Sequence, residues 1–347
     1  MTPLLRFVCG RVAQHLPLSV AVGFALVVGV GCQQHTPTPT APASNEQQAA
    51  TSALPSPPSS GRVTWRFPTT TTWTAIGDLH GDLAATQKLL RAIGVVDDAG
   101  HWAGGRRFVI QLGDQVDRGD DDRAVLAFTT ALDVEAQQHG GRFLSLLGNH
   151  ELLVAACDQR YVSPKALASF ADGAGGTLQA PHVEHLAPGR RGHCAAFTPG
   201  APWALQLATR PLFAVVGDAL FVHGGLTVDH QAHADNMVQD TAAYLRGQAP
   251  APAFMTRAPE DRPLWRRAYS LGTPDDDVCT ALDATLRAFG VRRMVVAHTV
   301  QRQGITSACG DKVWRIDTGL SHAYGGLLQA LEMTPAHTLQ VHRTSRR

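Results

Sequence analysis

Five times between residues 74 and 298, a short apolar run gives way to an aspartate, an asparagine or a histidine. Thr74-Ala75-Ile76-Gly77 leads to Asp78, the run from Phe108 to Gly113 leads to Asp114, and the run from Phe143 to Gly148 leads to Asn149. Leu220-Phe221-Val222 leads to His223, and the run from Met294 to Ala297 leads to His298. Runs of this length and composition suit strands buried on both faces. Helical stretches at 83–93 and 121–138 separate the early ones. Alternating strand and helix implies parallel pairing through crossover helices, an α/β fold. In such folds ligands gather beyond the carboxyl ends of the strands. A single aspartate after a strand is usually a helix cap, and a single histidine is usually a satisfied core residue. Five metal-type side chains at five strand ends are hard to assign to capping and point to one convergent site.

The rest of the chain bounds where that site works. At 347 residues, with 44% hydrophobic and 17% charged residues, the chain can build a sizeable core. Thirty Lys and Arg against 29 Asp and Glu give a net charge of +1, which argues against a nucleic-acid partner. Residues 1–31 read as a signal peptide: Arg6 and Arg11 precede an uncharged run from Leu16 to Gly31 that contains Pro17 and three glycines. A membrane-spanning helix needs roughly 20 apolar residues, so this segment suits a secretory leader. Gly29-Val30-Gly31-Cys32 resembles a bacterial lipobox, with Cys32 as the lipidated residue, although Gly29 occupies a position usually held by leucine. Cleavage without lipidation and an uncleaved anchor are the alternatives. Residues 32–60 hold six prolines and one charged side chain, Glu46; such a tether cannot bury enough apolar surface to fold, and it would reach roughly 30 Å. The expected organisation is therefore a membrane-tethered, periplasmic or otherwise extracytoplasmic lipoprotein, whose folded part, 61–347, is expected to be a monomer. Four cysteines remain in it, and an even number in an exported domain suggests disulfides. Pairs 157–194 and 279–309 are favoured because each closes the shorter loop; buried free thiols are the alternative.

Read together, the ligand-bearing segments resemble a known family. Gly77-Asp78-Leu79-His80-Gly81, Gly113-Asp114-Gln115-Val116-Asp117-Arg118-Gly119 and Gly148-Asn149-His150-Glu151 match, in order, the three signature blocks of the phosphoprotein phosphatases among the calcineurin-like metallophosphoesterases. His223-Gly224-Gly225 and Ala297-His298-Thr299 resemble the two downstream histidine motifs, with Ala297 where the wider family usually has glycine. Asp117 to Arg123, Asp158 to Val162, Pro263 to Tyr269 and Trp314 to Gly319 resemble the bacterial Shewanella-like phosphatase branch. The resemblance spans about residues 73–331 and implies a metallophosphoesterase-type layered β-sheet sandwich flanked by helices.

It also implies a chemistry. Asp78, His80 and Asp114 would hold one divalent metal ion, and Asp114, Asn149, His223 and His298 a second, with Asp114 shared. Oxygen and imidazole ligands without thiolate suit manganese, iron or zinc and do not choose among them; two divalent ions are expected, with manganese favoured and iron or zinc as alternatives. The reaction implied is hydrolysis of phosphate monoesters by a metal-bridging hydroxide, with His150 as general acid and Asp117 orienting it. Arg118 and an arginine of Leu264-Trp265-Arg266-Arg267 would grip the phosphoryl group, because a guanidinium donates two parallel hydrogen bonds; alignment favours Arg267. The substrate would be a phosphorylated protein or a small phosphoester. A dinucleoside polyphosphate hydrolase and a non-catalytic metal-binding lipoprotein are the competing readings. Glu151 reads as a structural carboxylate at a helix start; Tyr324, in a glycine-rich turn, reads as a packing residue, with a place facing the leaving group as the alternative. Residues 157–200 interrupt the rhythm and hold a His/Arg cluster. A second metal site is conceivable there, but a loop-and-helix insert rimming the cleft accounts for the cluster more simply.

Overall fold

Each of the five runs forms a strand. The computed structural model describes residues 61–68 and 72–345; the expected leader (1–31) and tether (32–60) lie outside the described residues. In chain order the strands are β1 (Arg66–Phe67), β2 (Trp73–Ile76), β3 (Phe108–Gln111), β4 (Arg142–Ser145), β5 (Phe213–Val216), β6 (Ala219–Val222), β7 (Arg293–Val296), β8 (Thr306–Ala308), β9 (Val313–Arg315), β10 (Leu328–Met333) and β11 (Leu339–Thr344). They form two mixed sheets, ordered β11-β10-β2-β3-β4 and β1-β5-β6-β7-β9-β8. The first contains a parallel trio, β2, β3 and β4. The second contains another, β6, β7 and β9. Antiparallel strands flank both trios, β10 beside β2 and β5 beside β6.

The sheets stack face to face. Trp73, Ala75, Ile110 and Leu144 from one sheet share a buried cluster with Ala214, Phe221 and Val295 from the other. Trp73 and Phe221 meet edge-to-face across the gap, with ring centroids 4.8 Å apart. Alternate residues on the same strands face outward, which is why the runs read as continuously apolar. Ile76, Val109 and Phe143 pack against helices α1 (Leu83–Ala92) and α2 (Asp122–Gln138). Leu220, Val222, Met294 and Val296 pack against helices on the far side. The result is a helix–sheet–sheet–helix sandwich, the layered α/β architecture expected from the motif pattern. Helix α1 is started by Asp82, whose carboxylate accepts the Ala85 N–H at 2.9 Å. It buries Ala85, Thr86, Leu89 and Leu90, one helical face.

The insert is more integral than a rim. It is mostly helical (Pro164–Ser169, Pro181–Glu184 and Pro188–Phe197), and Phe170 and Phe197 join the outer core of the second sheet. Cys157 and Cys194 close it as a disulfide, and Cys279 pairs with Cys309. The helix at Ala234–Leu245 buries Ala234, Met237, Val238, Thr241, Ala242 and Leu245. Among the described residues, no helix is long and apolar enough to cross a membrane. Because Phe221 fills the centre of the intersheet layer, Phe221→Ala should lower stability by about 3–5 kcal/mol, read as a shift of the denaturant midpoint.

Candidate active site

The carboxyl ends of both parallel trios open on the same cleft. β2 is followed by Asp78 and His80, β3 by Asp114, and β4 by Asn149 at the start of helix α3 (Asn149–Ala155). From the other sheet, β6 is followed by His223 and β7 by His298. To aim side chains inward so soon after a strand, the backbone turns sharply. His80, Asp114, Asp117, Arg118 and His298 have φ of 42°, 52°, 71°, 73° and 64°. They are five of the ten non-glycine residues with left-handed backbone among those described. Each such residue costs about 1–3 kcal/mol and persists only where its surroundings hold it.

Here the surroundings are hydrogen bonds between the loops. The Asp114 carbonyl accepts N–H groups from Leu79 and His80, at 3.0 and 2.9 Å. The fully buried Glu151 carboxylate accepts three more, from Gly148, Asp114 and Gln115, at 2.6, 2.9 and 2.7 Å. Glu151 therefore ties the loop after β3 to the start of α3, and the structural role expected for it takes this specific form. Burial pushes its carboxyl up, and the Asp114 charge adds to that; the backbone donors and the nearby Arg210 act in the opposite sense.

The six predicted ligands come together. His80 Nδ1 donates to the Val116 carbonyl at 3.1 Å, which turns the Nε2 lone pair toward Asp78 and Asp114, whose nearest oxygens are 3.7 and 3.8 Å away. His223 Nδ1 likewise donates to the Leu112 carbonyl at 2.8 Å. Its Nε2 then lies 3.1 Å from Asp114 Oδ2, 3.0 Å from Asn149 Oδ1 and 3.1 Å from His298 Nδ1. Backbone carbonyls thus fix the tautomers, as is usual for metal-bound imidazoles. Burial lowers the pKa of His80 to about 3, and burial with the neighbouring His223 lowers that of His298 to about 2. Both rings stay neutral and offer lone pairs. Burial, Asp317 and Asp114 together push the Asp78 carboxyl well up. Lone pairs and carboxylates crowded this closely repel one another unless cations lie between them, so the donor set fits divalent metal ions.

Around this cluster lies the rest of a reactive site. His150 Nδ1 sits 2.5 Å from Asp117 Oδ2, and the His150 backbone N–H donates to Asp114 Oδ1 at 2.9 Å. Burial opposes charge on the imidazole, but Asp114 and Asp117 outweigh it and raise its pKa to about 9. His150 is thus held protonated at the cleft floor. The Arg118 guanidinium lies over the Tyr161 ring, 4.0 Å from its centroid. Arg267 is anchored by the His298 carbonyl at 2.7 Å and Thr299 Oγ1 at 2.9 Å. Both arginines line the cleft, which has a volume of about 400 Å³. Arg266 points away, donating to the Glu260 carbonyl.

Beyond the predicted site residues, the lining includes Arg160, Tyr161, Asp317 and Tyr324, with Leu153, Arg262, Trp265 and Val300 completing the walls. For Tyr324, packing was favoured over a place facing the leaving group. Instead its ring lies 5.0 Å from that of His80 at the cleft, with its hydroxyl pKa raised by burial to about 12. In the insert, Cys157 and Cys194 lie close to His182 but are joined to each other as a disulfide, which takes both sulfurs out of use as thiolate ligands; His182 pairs with Thr198 Oγ1 at 2.9 Å, and His193 is buried against Phe170 and Phe197.

A buried set of oxygen and imidazole donors, with a protonated histidine and two arginines beside it, defines a metal-dependent phosphoester hydrolase. The chain belongs to the calcineurin-like phosphoesterase family, whose model matches residues 72–302. It is 32% identical over 314 residues to "Shewanella-like protein phosphatase 2" of Arabidopsis thaliana, an alignment covering 81% of this chain and 80% of that protein. Its fold is shared with a cold-active protein-tyrosine phosphatase of a psychrophilic Shewanella (TM-score 0.62, 21% identity, 81% of this chain and 83% of that one). It is shared too with a protein serine/threonine phosphatase of Saccharomyces cerevisiae (TM-score 0.54, 18% identity, 84% and 85% covered).

Gly148 offers a test of the donor geometry. A Cβ there would fall 2.1 Å from Asp114 Oδ1 and 2.4 Å from the Asp114 nitrogen. Gly148→Ala should therefore displace Asp114 and lower bound metal, measured by elemental analysis, while far-UV circular dichroism stays unchanged.

Proposed function

We infer that this protein is a phosphoprotein phosphatase, acting on phosphate monoesters of protein side chains with manganese as the favoured metal. The observation that carries the reading is the His150–Asp117 pair beside the donor cluster, with Arg118 and Arg267 on the walls of the same cleft. Asp78, His80, Asp114, Asn149, His223 and His298 would hold two divalent ions, Asp114 being shared. Such ions polarise a phosphoryl group and activate water for attack on it. Arg118 and Arg267, each already braced by the protein, would hold the phosphoryl oxygens with paired N–H donors. His150 Nε2 would give its proton to the departing oxygen, while Asp117 keeps Nδ1 protonated and the ring in place. The name of the Arabidopsis relative supports protein substrates, and so does the open, arginine- and tyrosine-lined cleft, which can admit a side chain on a polypeptide.

The purified protein with Mn²⁺ should cleave p-nitrophenyl phosphate and phosphopeptides but not dinucleoside polyphosphates. The reverse preference in a substrate screen would refute the reading. His150→Asn should keep the metal content and lower kcat by about 10²–10⁴-fold. The loss should be greater for a phosphoserine peptide than for p-nitrophenyl phosphate, whose leaving group needs no proton. An equal loss on both substrates would argue against proton donation.

The same reading places the enzyme outside the cytoplasm, tethered through lipid on Cys32. The lipobox-like Gly29-Val30-Gly31-Cys32 and the proline-rich segment after it support this, as do the two disulfides of the folded part. Mass spectrometry of the membrane-extracted protein should find a diacylglyceryl-modified Cys32 at the N-terminus; an unmodified Cys32 peptide would dismiss the lipid anchor.

A further inference from the structure

Each sheet contributes a parallel trio of strands, and five of the six strand ends carry a predicted metal ligand. The sixth is β9. Its chain continues through Ile316 to Asp317, which is 2% exposed and lines the same cleft as Asp78, His80, Asp114 and His298. The Asp317 carboxyl group lies within hydrogen-bonding reach of the Asp78 carboxyl group and feels the charges of Asp114 and His223. The Gly319 N–H donates to its Oδ1 at 2.9 Å, which fixes the side chain in place. The Ser321 hydroxyl, four residues on, donates to the His80 carbonyl at 3.0 Å and ties this segment to the loop after β2.

The approach is built into the backbone. Gly77, directly before Asp78, has no room for a side chain: a Cβ would fall 2.8 Å from the Ile316 carbonyl oxygen and 2.9 Å from the Asp317 Cα. The absence of a side chain at Gly77 lets the two carboxylates meet. Two buried carboxylates held this close repel strongly, and no arginine or lysine forms an ion pair with either among the described residues. A shared proton or a shared cation would relieve the repulsion.

We propose that Asp317 is a further protein donor of the metal centre, the sixth strand-end ligand, acting on the ion that Asp78 and His80 hold. The proposal rests on the phosphoesterase reading of the site. It gives that ion a carboxylate from each sheet, so that the ion itself clips the two sheets together at their carboxyl ends. If Asp317 served only as a capping acceptor for Gly319, or shared a proton with Asp78, asparagine could take its place, since its carbonyl oxygen accepts the Gly319 N–H and its amide can donate to Asp78.

The test is a metal titration of the full-length protein, with Mn²⁺ as the probe and bound metal read by elemental analysis and calorimetry. Wild type should bind two ions. Asp317→Asn should bind one of them normally and the other more than about 100-fold more weakly, beyond the roughly 10–100-fold that losing an outer-shell partner costs, with a smaller Mn²⁺-induced rise in melting temperature. Two ions bound by Asp317→Asn within twofold of wild-type affinity would overturn the assignment while leaving the metal centre itself intact. A wild-type protein that binds no metal would instead sink the reading of the whole site. If Asp317→Asn fails to fold, Asp317→Glu is titrated in its place: a ligand predicts two ions with one weakened, and unweakened binding of both overturns the proposal.

Discussion

Repulsion between like groups is the constraint on which this structure turns. Asp78, Asp114 and Asp317, with His80, His223 and His298, crowd into one buried volume at the mouth of an apolar sandwich. Nothing in hydrophobic packing favours that arrangement, and desolvation alone works against every charge in it. The protein holds the groups there by making the loops that carry them hard to move. Glu151 gathers three N–H groups from two different loops, and Val116 and Leu112 carbonyls lock the imidazoles. The strained residues are stable only because the sandwich behind them is rigid. The intersheet layer around Trp73 and Phe221 therefore serves the site as much as the fold: it sets the separation of the two groups of predicted ligands.

Much of this was legible in the sequence, and the reasons for the gaps are physical. The five strand ends stood out because each strand is buried on both faces and reads as an unbroken apolar run. That same property hid which strand belongs to which sheet, since a run apolar on both sides does not say which neighbour it pairs with. β9 was not read as a strand leading into the cleft because only Val313 is buried while Trp314 and Arg315 are half-exposed. Asp317 therefore follows a segment without the apolar signature of the other five. Yet the motif was visible as Trp314 to Gly319, and a strand-to-aspartate reading of it would have found the residue. Tyr161 and Tyr324 could not be placed from local pattern. Each reaches the cleft through contacts with distant segments, one with Arg118 and the other with His80.

The insert shows a different kind of dependence. Its helices are short, yet Phe170 and Phe197, with Trp203 just beyond the insert, form a tilted and edge-on aromatic group within the main core. Prolines begin three of its helical segments at Pro164, Pro181 and Pro188, which suits a stretch of short helices joined by turns. The Cys157–Cys194 bond closes the segment just after α3, so its first residues leave directly from the helix that presents Asn149 and His150.

That arrangement separates two inheritances. The donors, His150 and Asp117 come from strand ends and their adjoining loops, whereas Tyr161, the ring beneath Arg118, and Arg160 come from the stapled insert. Changes in the insert can reshape this wall of the cleft without touching the donor cluster or the His150–Asp117 pair. A lineage built on this scaffold is free to explore new targets in one stretch of sequence while the hydrolytic machinery stays fixed in another.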